Sequence, residues 1–106
     1  MRDIITPYKS VAISIITYIE TAGFKFEDES EKTLIEGFLQ QFNVIPTEMP
    51  IANKAAGYKQ IRRIKTPDAI ILATASYLDA DLITVNESDF KGLDPAVRII
   101  VPMLLP

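Results

Sequence analysis

The chain has 106 residues, enough for one domain with a core of its own, and its 48% hydrophobic and 24% charged content is that of an ordinary globular protein. Cysteine and histidine are both absent, which excludes disulfides, thiolate zinc sites, thiol nucleophiles and imidazole as base or metal ligand. A net charge of −3 argues against broad electrostatic capture of nucleic acid, and no apolar run reaches the roughly 18 residues of a membrane span. With no signal-peptide core at the N-terminus, the expected compartment is the cytoplasm.

In chain order, Asp3-Ile4-Ile5-Thr6 reads as a short strand that Pro7 ends or confines to an edge. Val11-Ala12-Ile13 reads as a buried strand, and Ser14 caps a helix running to about Thr21, with Gly23 as its stop. Glu20 lies on that helix at three- and four-residue spacing from Thr17 and Ile16, where a solvent-facing acid is the plain alternative to a functional one. A charged turn holding Glu27, Asp28, Glu29 and Glu31 follows. Leu34, Ile35, Phe38, Leu39 and Phe42 then form a helical stripe, opened by the capping pair Asp28 and Glu31. Asn43-Val44-Ile45 is a second short strand, and Pro50 opens a helix carrying Ile51, Ala55 and Tyr58 on successive turns.

Five basic residues, Lys54, Lys59, Arg62, Arg63 and Lys65, crowd into the stretch that follows. They are either a solvated helix face or an RNA contact. Thr66 is expected as an N-cap with Pro67 at the first helical position, which places Asp68 in the first turn, where the helix dipole favours a carboxylate. The run Ala69-Ile70-Ile71-Leu72-Ala73-Thr74-Ala75 is dense and small enough to lie close against a sheet. Leu82-Ile83-Thr84-Val85 reads as a buried strand ending in the polar turn Asn86-Glu87-Ser88-Asp89, and Val97 to Val101 as the last strand. Strands alternating with helices imply a mostly parallel sheet with right-handed crossovers, hence a single α/β domain over residues 1–106.

The segments Pro67-Asp68-Ala69-Ile70-Ile71-Leu72-Ala73-Thr74-Ala75, Leu82-Ile83-Thr84-Val85-Asn86 and Asp89-Phe90 resemble the C-terminal half of a PIN domain, nearest to the VapC-type toxins of toxin–antitoxin pairs. Ile13-Ser14-Ile15-Ile16-Thr17-Tyr18-Ile19-Glu20 resembles the family's second motif, so the likeness spans about residues 10–102. It implies a three-layer α/β/α fold and a Mg²⁺- or Mn²⁺-dependent endoribonuclease, chemistry that hard carboxylate oxygens serve without His or Cys. Carried over by motif, Glu20, Asp68 and Asp89 are the expected catalytic and metal-binding acids. Ser14, Thr84 and Asn86 are expected around substrate or water, and Lys59, Arg62, Arg63 and Lys65 as weak RNA contacts. An antitoxin partner and a homodimer are also implied.

The front of the chain departs from the family. PIN domains open with a strand ending in Asp and then a helix, and neither is found here; only seven residues separate Asp3 from Val11, too few for a crossover helix. The reading is therefore a PIN-like fold lacking its first strand and helix, with metal binding weak or absent, since carboxylate count sets affinity for hard cations. Two functions follow: an impaired endoribonuclease, or a non-catalytic module that keeps only a binding or dimerising surface. The strands at Val11 and Leu82 would flank the absent strand. They are expected to pair directly with each other or to be repaired by a second copy.

Overall fold

The computed structural model describes residues 10–102. The expected strand at Asp3 to Thr6 and the tail beyond Pro102 lie outside the described residues. Nine elements follow in order: β1 (Ala12–Ser14), α1 (Ile15–Ala22), α2 (Glu29–Leu39), β2 (Asn43–Ile45), α3 (Met49–Ile61), α4 (Thr66–Tyr77), β3 (Leu82–Ile83), α5 (Glu87–Phe90) and β4 (Ile99–Ile100). The α/β class and the parallel sense are as expected: β1 pairs parallel with β2, and β3 with β4.

Local sequence accounts for most helix boundaries. The Ser14 hydroxyl accepts the Thr17 N–H at 3.1 Å, ending β1 and starting α1 in one residue. Gly23 closes α1 through its own N–H to the Ile19 carbonyl at 2.8 Å, and a Cβ there would lie 2.7 Å from that same oxygen. Asp28 caps α2 by accepting the Glu31 N–H at 2.8 Å. The α4 start departs from expectation by one residue. The Ala69 N–H reaches the Lys65 carbonyl at 2.9 Å, so Lys65 is the N-cap, Thr66 is already helical, and Pro67 is second.

Other boundaries moved for reasons of pairing. The last strand is shorter than Val97 to Val101, because the Val97 N–H is spent on a turn to the Asp94 carbonyl. The strand at Leu82 stops before Thr84 and Val85, and the polar turn beyond it winds into the single turn of α5.

The core belongs to the second half of the chain. Ile51, Ala55 and Tyr58 of α3 pack on Ala69, Leu72, Ala73 and Ala75 of α4, joined by Leu82, Phe90, Leu93 and Val97. Ala69 and Ala73, one turn apart on α4, are fully buried in this cluster, and Ile51 and Leu72 are essentially sealed from solvent at 1% and 0% exposure. Each such burial is worth about 1.5–3 kcal/mol. The stripe expected on α2 does not reach this core. Only Leu39 is buried, while Leu34 stays 72% and Phe38 52% exposed, and Phe38 meets Phe42 edge-on.

The expected direct pairing of the first and third strands is not found. Among the described residues the strands form two two-stranded parallel sheets, and a cavity of about 390 Å³ lies between β1 and β3. It is floored by Ile71, Thr74, Ala75 and Leu78 of α4. β1 and α1 both pack on α4. Val11 accepts from Asn43, while Leu82 and Thr84 donate to Arg98 and Ile100, so the alternation of the ladders turns the backbone groups of Ala12 and Ile83 away from β2 and β4.

Candidate functional site

The three expected acids stand on three different helices. Glu20 is exposed in the last turn of α1, Asp68 is half-buried in the first turn of α4, and Asp89 is exposed in α5. Helix α4 packs against both α1 and α5, so the element bearing Asp68 touches the carriers of the other two. Strand direction explains the placement. The α4 helix returns to the start of β3, so its N-terminus and the end of β3 share the carboxyl edge of the sheet, where α/β proteins bind ligands. No carboxylate of the three makes a hydrogen bond or ion pair within the described residues.

The donor chemistry suits Mg²⁺ or Mn²⁺: the acids offer hard oxygens, uncommitted to other partners. Among the described residues, however, no three acidic side chains gather into a group that could hold a metal ion. One or two carboxylates completed by water and substrate phosphate remain within the usual manner of holding Mg²⁺.

The surrounding polar residues have defined structural work. Ser14 is buried and shares its hydroxyl with Thr17, oxygen to oxygen at 3.2 Å. The Thr84 hydroxyl accepts the Asn86 N–H at 3.0 Å, fixing the turn after β3. Of the four cations expected at RNA, Lys59 donates to the Ile64 carbonyl at 2.9 Å, and Arg62 donates to the carbonyls of Lys91 and Asp89, each at 2.8 Å. Arg63 and Lys65 are exposed.

One polar pair escaped the sequence reading. The Tyr58 hydroxyl donates a short hydrogen bond to the Asp94 carboxylate, tying α3 to the loop after α5. Burial, then the Asp94 carboxylate, pushes the phenol up to about 12. The same hydroxyl is the chief reason Asp94 is held below the usual carboxylate range. Helical spacing revealed Tyr58 as a core residue, but nothing local could reveal a partner 36 positions away.

The PIN domain profile matches residues 2–94. No curated protein sequence matches the chain. Among solved structures, a toxin–antitoxin complex from Klebsiella pneumoniae is similar at 34% identity and a TM-score of 0.74, covering 89% of this chain and 75% of that one. VapBC2 from Rickettsia felis, bound to a DNA fragment from its promoter, shares the fold at 19% identity and a TM-score of 0.76, covering 93% and 80%. VapBC-5 from Mycobacterium tuberculosis does so at 19% identity and a TM-score of 0.65, covering 89% and 82%.

Proposed function

The chain belongs to the PIN domain family, and from that premise we propose that it is the toxin-type member of a toxin–antitoxin pair, cytoplasmic, whose reaction is divalent-metal-dependent endoribonuclease cleavage. The observation that carries the reading is the placement of three uncommitted carboxylates, Glu20, Asp68 and Asp89, on helices in mutual contact through α4. An antitoxin partner is supported by the toxin–antitoxin assembly that the Klebsiella pneumoniae relative forms.

Asp68 and Asp89, with Glu20 as third, would hold Mg²⁺ or Mn²⁺. When bound, the ion supplies an activated water and offsets charge on the phosphodiester during in-line attack. The remaining work falls to this chain's own residues. Asp68 sits in the first turn of α4, the end of the helix dipole that favours negative charge. Thr84 fixes the first turn of the backbone that leads from β3 to Asp89 by accepting the Asn86 N–H. Arg63 and Lys65, both exposed just before Asp68, are the cations available to RNA phosphates.

The test is cleavage of a mixed RNA pool with Mn²⁺, in wild type and Asp68→Asn. Cleavage that chelator stops and Asp68→Asn abolishes is expected. Cleavage that persists in chelator, or in the variant, overturns the reading. A second reading is favoured by the lack of a three-acid group among the described residues: a non-catalytic module that binds an antitoxin or a second copy of itself. Co-purification with a partner, or a homodimer by light scattering, without Mn²⁺-dependent cleavage would select it.

A further inference from the structure

Arg62 stands between the segments that carry Asp68 and Asp89, bonded to the second and leading by a short link into the first. It is the C-cap of α3, half-buried, with its own N–H bonded to the Tyr58 carbonyl at 3.2 Å. Its guanidinium reaches out as a fork. One nitrogen donates to the Lys91 carbonyl and the other to the carbonyl of Asp89 itself, both at 2.8 Å. On the other side, the link from Arg62 to α4 is held at two of its three residues, Ile64 and Lys65. Ile64 is buried, its carbonyl accepts the Lys59 ammonium at 2.9 Å, and the Lys65 carbonyl takes the first helical N–H, that of Ala69. Asp68 follows directly in the first turn.

The end of α3 is therefore the common anchor of both acids, through a braced backbone to Asp68 and through one side chain to Asp89. We propose that Arg62 is a positioning residue that sets the Asp89 carboxylate against Asp68, and not an RNA contact. The inference rests on the carboxylate reading given above. The chemistry favours arginine specifically: a planar fork spans two carbonyls at once, whereas a lysine reaches one. The bland alternative is that the fork merely satisfies orphan carbonyls at a helix end.

Mn²⁺ binding by calorimetry, on the full chain, separates these. Arg62→Gln should weaken Mn²⁺ by about 10- to 100-fold, the usual effect of losing a residue that orients a metal ligand. Arg62→Lys should recover part of it. Amides of Asp89 and Lys91 should exchange faster in Arg62→Gln, while circular dichroism and the unfolding midpoint verify that the variant is folded. The deciding measurement is coupling: in an Asp89→Asn background, Arg62→Gln should cost nothing further. Full multiplication of the two penalties overturns the proposal, as does unchanged affinity in Arg62→Gln. If Asp68→Asn abolishes binding while Arg62→Gln does not, this inference alone fails. If Asp68→Asn retains wild-type affinity, or the wild-type chain binds no Mn²⁺, the carboxylate reading fails with it.

Discussion

Replacing Tyr58 by Phe removes one oxygen from a buried ring and leaves the packing of α3 on α4 intact. The loss falls on the hydrogen bond to Asp94. A bond to a charged acceptor is worth about 1.5–3 kcal/mol, but Asp94 is only half-buried and keeps the Ala96 N–H at 3.0 Å. The expected cost is therefore about 1–2 kcal/mol at neutral pH. Urea denaturation of both proteins at several pH values is the assay, and pH supplies two internal checks.

Asp94 is held below its ordinary 3.8, first by the Tyr58 hydroxyl and against the opposing effect of burial. A depressed carboxylate stabilises the fold in full above its unfolded pKa, and that contribution disappears as pH falls through the lower folded value. The gap between wild type and Tyr58→Phe should therefore narrow below 3.8. At the alkaline end the sign reverses in origin but not in direction. Tyr58 ionises near 10.0 when unfolded and at about 12 when folded, so its contribution fades across that window, again narrowing the gap. Equal denaturation midpoints at pH 7, or a gap that widens toward acid, would refute the reasoning.

Two further outcomes are expected. Leu72→Ala, at a position with no solvent exposure, should cost about 2–5 kcal/mol by the same denaturation assay; a loss under 1 kcal/mol would show that α4 collapses onto the cavity. Ser14→Ala should cost about 1 kcal/mol through loss of the α1 cap, with Ser14→Asp milder than Ser14→Ala because it restores an acceptor for the Thr17 N–H; equal losses would place the effect in packing instead.

Much of the fold was legible because its signals are local. Ser14, Gly23, Asp28 and Pro67 all mark helix ends by the chemistry of a single residue or pair. The parallel sense of the strands followed from alternation alone. Strand lengths were not legible, since Val97 could pair or turn and only its distance from Asp94 decided which. The α2 stripe misled for a related reason: periodicity shows that a face is apolar, not that anything covers it.

The candidate acids were found by motif, whereas the roles of Lys59 and Arg62 were hidden. A basic residue reaching a carbonyl 27 or 29 positions away leaves no periodic trace, and on the page it is indistinguishable from a solvated charge. The separation of the two sheets was equally out of reach. Which strands pair depends on tertiary packing, which no pairwise spacing encodes.

The confinement of the core to α3, α4 and the strands that follow divides the molecule into two thermodynamic bodies. Helix α1 has no fully buried residue and α2 has one, while Ile19, Phe24 and Leu34 remain 57%, 64% and 72% exposed. Opening that half costs few apolar contacts, so the amides of α1 and α2 should report a sub-global unfolding well below the free energy that protects α4. Glu20 rides on the less protected body and Asp68 on the sturdier one. Any ligand that engages both carboxylates would therefore fasten the loose half to the firm one, and its affinity would carry the cost of that ordering.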